Sequence, residues 1–208
     1  GRVRLATGAI SQGQGHETSL AQVVAAELGV ALDCIQVMGS DSGHIPDSVG
    51  TNASRSMVRA GTALVEACRE VVEGGLDVAA RLLQADPGEV SFTDGAYVVA
   101  GTDRSADLFA VAAETGPGGL KAERHHVNEL VTYPTGCHVC EVEIDPETGA
   151  LELVAFAAID DVGRAVNPMI TTGQSQGAIA QGVGQALLEH GVYDTETGQL
   201  LAGSFLDY

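Results

Sequence analysis

The chain has 208 residues, 45% hydrophobic and 18% charged, with 10 Lys and Arg against 28 Asp and Glu for a net charge of -18. That is the composition of a folded globular chain with one sizeable core or two small ones. Its sign is wrong for a nucleic-acid backbone or an anionic membrane surface, which argues against both as partners.

No run approaches the roughly 20 apolar residues of a membrane span, and the opening GRVRLATGAI carries no apolar signal segment. The absence of a starting Met fits an engineered, processed or partial product. Four cysteines, at 34, 68, 137 and 140, are too few for a disulfide scaffold and make a reducing, cytoplasmic setting the expectation.

In chain order, the first residues read as a strand. Leu20, Val23, Val24 and Leu28 then recur at helical spacing over 18–28, and Gly29 supplies a left-handed stop. A second helix is predicted over 56–73, ended by Gly74 and Gly75, and a third over 76–84, closed by Asp86-Pro87. Residues 90–99 turn over at Thr93-Asp94-Gly95-Ala96 and read as a hairpin. A short helix follows over 105–114, then a loop over 115–119. Residues 137–144 and 151–159 flank DPETG and form a hairpin pair; DTETG at 194–198 predicts a second hairpin of the same chemistry. Between them, 174–190 reads as a long buried helix rich in Gly and Ala, whose small residues let a backbone or ligand come close. The whole is a mixed α/β (α+β) pattern.

GQGHET at 13–18 places Gly-x-Gly ahead of a helix N-terminus. Free backbone N–H groups and the positive end of the helix dipole there suit an anion. Taken alone, it reads better as an ordinary N-cap by Thr18 or a neighbour. It is no HExxH zinc helix, because Leu20 stands where the second His belongs. The arrangement recurs, however. GTNASRS at 50–56 brings Thr51, Ser54 and Ser56 to the start of the second helix, and TTGQSQGAIAQG at 171–182 brings Thr171, Thr172, Gln174, Ser175 and Gln176 to the start of the long one. Three polar, glycine-bearing helix starts suggest one large ligand that is polyanionic and rich in amides. Gln side chains pair with a heterocycle edge, while hydroxyls and N–H groups hold phosphates. Nucleophile and phosphate-loop motifs are absent, and the nearest dinucleotide fingerprint ends in Leu187 where the last Gly belongs.

GQGHET, GTNASRSM, GCHVCEVEIDPETG with DDVGRAVNPM, and GQSQGAIAQGVGQALLEHGVYDTETGQLLAGSFLDY together resemble, in order and over nearly the whole chain, the C-terminal part of the molybdenum-binding large subunit of the xanthine dehydrogenase and aldehyde oxidase family. The branch most resembled contains the carbon monoxide dehydrogenase large subunits. The resemblance implies a molybdopterin cofactor with molybdenum, in the cytosine dinucleotide form, held by its own dithiolene sulfurs and by no protein metal ligand. It implies that Gln14 contacts the pterin, with Gly13, Gly15 and His16 lining the loop. By the same token Ala53 approaches the metal through its backbone, the hydroxyls of Thr51, Ser54 and Ser56 surround the phosphates, Arg55 is a further cofactor-binding residue, and Gln174 is a second pterin contact with Gly177 and Gln181 on the same helix. It also implies partners: the remainder of the molybdenum subunit, an FAD-binding medium subunit and a [2Fe-2S] small subunit, assembled as a dimer of heterotrimers.

The family's catalytic glutamate lies in a GVGE-type motif beyond Tyr208, so 1–208 is expected to be a cofactor-binding region of a larger subunit without its extreme C-terminus and without a catalytic residue of its own. The substrate-contacting loops lie upstream of Gly1. The expected reaction of the complete subunit is hydroxylation or oxidation of an aldehyde, an N-heterocycle or a similar small substrate with water oxygen; the alternative is a non-enzymatic cofactor-binding or assembly module. Glu17, Asp160 and Asp161 read as turn or helix-end carboxylates, with the two aspartates following a strand. Cys137 and Cys140 spell CxxC, but on a strand they point to opposite faces and read as one core and one surface thiol. His125 and His126 read as a solvated stretch. His44, in a Gly-rich loop after Asp41, is the remaining side chain within possible reach of the cofactor.

Overall fold

The structure, a computed structural model, describes residues 1–39, 41–45, 47–127 and 132–208. It divides into two compact units, Gly1–Thr132 and Tyr133–Tyr208.

The first unit opens with β1 (Val3–Thr7), α1 (His16–Leu28) and β2 (Ile35–Gly39), and the two strands pair in parallel from Val3 opposite Ile35 to Thr7 opposite Gly39. A parallel pair needs a crossover, and α1 supplies it. Leu20, Val24 and Leu28 are buried on its inner face. Gly29, at φ 59, ends the helix in the left-handed conformation the sequence predicts.

One π turn, Met57–Gly61, leads into α2 (Thr62–Leu83), which runs unbroken through the glycine pair. The expected break at Gly74-Gly75 is therefore absent, and the reason is packing. A Cβ on Gly75 would fall on the hydroxyl of Tyr97, a fully buried residue whose hydroxyl donates to the Val72 carbonyl at 2.9 Å. Gly75 is thus a close-approach residue, not a stop.

β3 (Val90–Thr93) and β4 (Ala96–Val99) form the expected hairpin, with Asp94 at φ 47 and Gly95 at φ 82 matching a primed two-residue turn. Ser105–Asp107, expected as helix, is strand β5 paired with β4, and α3 is shortened to Leu108–Glu114. Asp107 caps it, accepting from the Ala110 N–H at 2.8 Å. α1, α2, α3 and the three-stranded sheet share one core that includes Leu5, Leu20, Val24, Cys68, Ala79, Tyr97, Val99 and Val111.

The second unit is a ribbon of β6 (Thr135–Ile144) and β7 (Leu151–Asp161) followed by α4 (Pro168–Leu187). DPETG closes the ribbon as expected, with Asp145 accepting from the Glu147 N–H at 2.8 Å and the Thr148 hydroxyl at 2.7 Å. Asp194 makes the same turn in DTETG, but the hairpin around it reduces to the single pair Tyr193 and Leu200.

α4 begins at Pro168, capped by Asn167, rather than at Gln174, so Thr171 to Gln176 lie within its first turns. Nor is it buried as the sequence suggests: no α4 residue is buried. One ribbon and one helix are too few layers to enclose apolar side chains. Among the described residues of the unit only Ala202 is buried, while Ile159, Met169, Leu188, Phe205 and Leu206 stand exposed.

Candidate functional site

Parallel strands direct their carboxyl ends to one edge, and the chain leaving each strand forms loops there. At that edge of β1 and β2 a cleft of about 170 Å³ is lined by Thr7, Ala9, Ser11, His16, Glu17, Val37 and Gly39. The loop after β1 carries GQGHET and the one after β2 leads to GTNASRS. They are joined: the Thr51 hydroxyl accepts from the Ile10 N–H at 2.9 Å and donates to the Ile10 carbonyl at 2.8 Å, and the Ser48 hydroxyl donates to the Gly8 carbonyl at 2.9 Å. Ser56 donates to the Thr51 oxygen at 3.1 Å, which completes that oxygen's capacity. Thr51 thus fastens the two loops together.

α1 starts one residue beyond Gly15, a left-handed N-cap at φ 73 without a side-chain cap, so neither Thr18 nor a neighbour caps it. A Cβ at Gly13, φ 102, would meet nothing within 4 Å, which leaves the loop backbone open. Gln14 is half-buried; its Nε2 donates to the Ile10 carbonyl at 3.2 Å and its Oε1 accepts from the Gln12 N–H, leaving one donor and one acceptor position free.

His16 is only 8% exposed, and its Nδ1 is buried with no hydrogen-bond partner. A buried ring nitrogen left unpaired costs about 1–3 kcal/mol, so a polar group entering the cleft gains by pairing with it. Glu17 accepts from the Ser11 hydroxyl at 2.8 Å, and its own backbone N–H, with Ser11 second, holds its carboxyl below the usual range.

Ala53 and Ser54 both lie at φ 52, left-handed conformations unusual for residues with a Cβ, and both are exposed. Arg55 is exposed and donates through Nε to the side-chain oxygen Oδ1 of Asn52 at 3.0 Å. Arg59 was not singled out by sequence. It sits in the π turn with its Nε buried and unpartnered, and π turns concentrate at functional positions. A larger open depression of about 570 Å³ lies where α2 ends, but Asp77, Asp86 and Glu89 outnumber Arg81 in its lining and make it net acidic, which disfavours an anion.

The structure therefore brings Gly13, Gln14, Gly15, His16, Thr51, Ala53, Ser54, Arg55 and Ser56 to the loops of one unit. Gln174, Gly177 and Gln181 belong to the other. Their i, i+3, i+7 spacing makes one exposed stripe along α4, and a Cβ at Gly177 would meet nothing within 4 Å. Among the described residues the Gln174 amide makes no hydrogen bond.

Asp160 and Asp161 are the last residues of β7, not of a following turn. Asp161 accepts from the Gly163 N–H at 2.9 Å, as a turn carboxylate does. Asp160 accepts from His138 Nε2 and from the Ser175 hydroxyl, both at 2.9 Å, and the His138 bond, ahead of the Ser175 bond, holds its carboxyl below the usual range.

Cys137 and Cys140 stand opposite Ile159 and Phe156, on opposite faces of the ribbon as predicted, but both are exposed, so neither is a core thiol. His126 is not merely solvated: its Nδ1 lies 3.2 Å from Glu66 Oε1. His44 pairs with Asp41 at 2.7 Å in an exposed turn. Among the described residues there is no cluster able to ligate a metal and no helix long and apolar enough to cross a membrane.

Residues 1–208 match the family described as molybdopterin cofactor-binding domain. The chain is 41% identical to the 6-hydroxypseudooxynicotine dehydrogenase complex subunit gamma of Paenarthrobacter nicotinovorans, over all of this chain and 27% of that protein. It is 34% identical to the carbon monoxide dehydrogenase large chain of Hydrogenophaga pseudoflava, over 97% of this chain and 26% of that one. A structure of carbon monoxide dehydrogenase from Oligotropha carboxidovorans superposes with a TM-score of 0.89 at 33% identity, covering all of this chain and 27% of that chain. The chain thus spans about a quarter of the length of these relatives. It belongs to the molybdopterin cofactor-binding domain family, within the molybdenum hydroxylases that include the carbon monoxide and xanthine dehydrogenases.

Proposed function

We propose that residues 1–208 are the C-terminal cofactor-binding region of a larger molybdenum subunit, and that they hold molybdopterin cytosine dinucleotide. One observation carries the assignment of the site: the unpartnered Nδ1 of His16 in a cleft at the carboxyl edge of a parallel pair, beneath two loops fastened by Thr51. The free donor and acceptor of Gln14 pair with the pterin edge, and the open backbone at Gly13 and Gly15 admits it. Ala53 approaches through its left-handed backbone. The hydroxyls of Ser54 and Ser56 and the guanidinium of Arg55 face the phosphates, while Thr51 keeps their loop in place. Gln174, Gly177 and Gln181 offer a second amide-bearing surface.

When bound, the molybdenum group supplies the two-electron chemistry by which water oxygen enters an aldehyde, an N-heterocycle or a comparable small substrate. FAD and [2Fe-2S] partner subunits would carry the electrons away, in a dimer of heterotrimers. The names of two relatives, one a complex subunit and the other a large chain, support assembly with further subunits.

Among the described residues the cleft offers one acid, Glu17. Its hydrogen bonds lower its proton affinity and tie it to Ser11, which makes it a weak base, so in this reading the base comes from elsewhere in the subunit. The isolated 208 residues, supplied with cofactor, are expected to oxidise neither aldehydes nor purines; turnover above a cofactor-only control would refute this. In the complete subunit, Gln14→Ala leaves ligand groups unpaired at a cost of about 1–3 kcal/mol. Cofactor content should fall while the apo protein melts nearly unchanged. Normal retention would reduce the loop to a helix start.

A further inference from the structure

α4 carries two stripes. Thr171, Ser175, Ile179 and Val183, spaced four apart, are a half-buried side, whereas Gln174, Gly177 and Gln181 are exposed between the half-buried Ile170 and Gly184 near the two ends of the helix. At about 100° per residue the two stripes point to nearly opposite faces. The direction of the exposed stripe is therefore fixed by whatever grips the half-buried one.

The grip is polar. The Ser175 hydroxyl donates to Asp160 Oδ2 at 2.9 Å, and the other oxygen of the same carboxylate accepts from His138 Nε2 at 2.9 Å. The ribbon presents Asp160 for this purpose. His138 stands opposite Ala158, so Asp160 is its diagonal neighbour on the same face. Phe156, on that face too, meets the His138 ring edge-on at 5.9 Å. Gly136 stands opposite Asp160, and a Cβ there would come within 2.6 Å of Asp160 Oδ1. The sequence thus clears the space this carboxylate needs. The arrangement is no Ser-His-Asp nucleophile system, because the carboxylate lies between Ser and His and the imidazole does not reach the hydroxyl.

We propose that Asp160 is a positioning residue: by holding Ser175 on α4 and His138 on β6 together, it sets the rotation of α4 that presents Gln174 to the cofactor. The inference rests on the reading of Gln174 as a cofactor contact. A hydroxyl at 175 and a carboxylate at 160 are then required in pairs, whereas Ile179 and Val183 need only remain apolar.

The test uses the complete subunit in its assembled form and follows release of the pterin on mild denaturation by its fluorescence, with the melting temperature recorded separately. Asp160→Ala and Ser175→Ala should each speed release on the order of five- to tenfold, the scale of one ordinary hydrogen bond lost, and Ser175→Thr should restore the original rate. In a Gln174→Ala background, Asp160→Ala should add nothing to release, because the contact it positions is already gone. An unchanged rate in Asp160→Ala, or the same acceleration in both backgrounds, overturns the positioning role. A normal rate in Gln174→Ala alone overturns instead the reading of Gln174 as a contact, and this proposal with it. Should Asp160→Ala fail to fold, the Ser175 pair carries the same comparison.

Discussion

Replacing Gly75 by Ala adds one methyl group to α2, and by helix propensity alone this should stabilise the chain by about 1 kcal/mol. The surroundings reverse the sign. The new Cβ would fall on the Tyr97 hydroxyl and lie 3.2 Å from Leu120 Cδ1. The Tyr97 ring has nowhere to go: it is fully buried, packs edge-on against Phe92 at 4.9 Å, and donates to the Val72 carbonyl at 2.9 Å. Overpacking costs about 1–3 kcal/mol and the lost hydrogen bond about 1 kcal/mol. With the propensity gain subtracted, Gly75→Ala should destabilise by about 1–3 kcal/mol. Gly74 is the control, being exposed, with nothing within 4 Å of a would-be Cβ. Gly74→Ala should stabilise by about 0.5–1 kcal/mol. Urea unfolding of the 208-residue chain, followed by far-ultraviolet circular dichroism with the m values compared, reads both. Stabilisation of similar size by both substitutions would refute the account of why the helix contains two glycines.

Burial pushes the Cys68 thiol up to about 11 while Cys137 and Cys140 are exposed, so iodoacetamide at pH 8 should label the latter two first and Cys68 only as urea opens the core; early labelling of Cys68, read by peptide mass, would count against it. Arg104 Nη1 donates to the Leu83 and Gln84 carbonyls at 2.8 and 2.9 Å where α2 ends. Arg104→Ala should cost about 0.5–1.5 kcal/mol in the same urea assay, and no change would mean that water replaces the cap at no loss. The Thr148 and Thr197 hydroxyls, then backbone N–H groups, hold the Asp145 and Asp194 carboxyls below the usual range. A lowered folded-state pKa stabilises above the unfolded value of about 3.9 and is lost as pH falls through the folded one. The amide resonances of Glu147 and Thr197 should therefore stay fixed through neutral pH and move only in acid; movement between pH 5 and 8 would contradict this.

Local chemistry made part of this molecule legible in its sequence. Gly29 ends α1 and the DPETG and TDGA turns fold as read, because each is decided within a few residues. The misreadings share a distant cause. Gly75 answers to Tyr97, 22 residues on, and Ser105–Asp107 becomes strand because β4 offers an edge. Helical periodicity is blind to both. At the site, the motifs at 13–18 and 50–56 were visible, and their joining through Thr51 and Ile10 was not. Asp160, between partners 22 and 15 residues away, passed for an ordinary turn acid. Arg59 carries no motif, and its buried Nε follows from a π turn that propensity does not signal.

That π turn gives α2 a reserve of length. It holds one residue more than the α turn it replaces, and it lies between the loop at 50–56 and the part of the helix where Cys68, Gly75 and Ala79 face the core. Loss of a single residue from Met57–Gly61 can be taken up by tightening to an ordinary turn. The core-facing residues then keep their rotation and the loop keeps its anchorage on Ile10, whereas a deletion anywhere later in α2 would turn every following side chain by about 100°. The ligand-facing loop and the packed helix are in this sense separately adjustable, and the slack between them lies within a single turn.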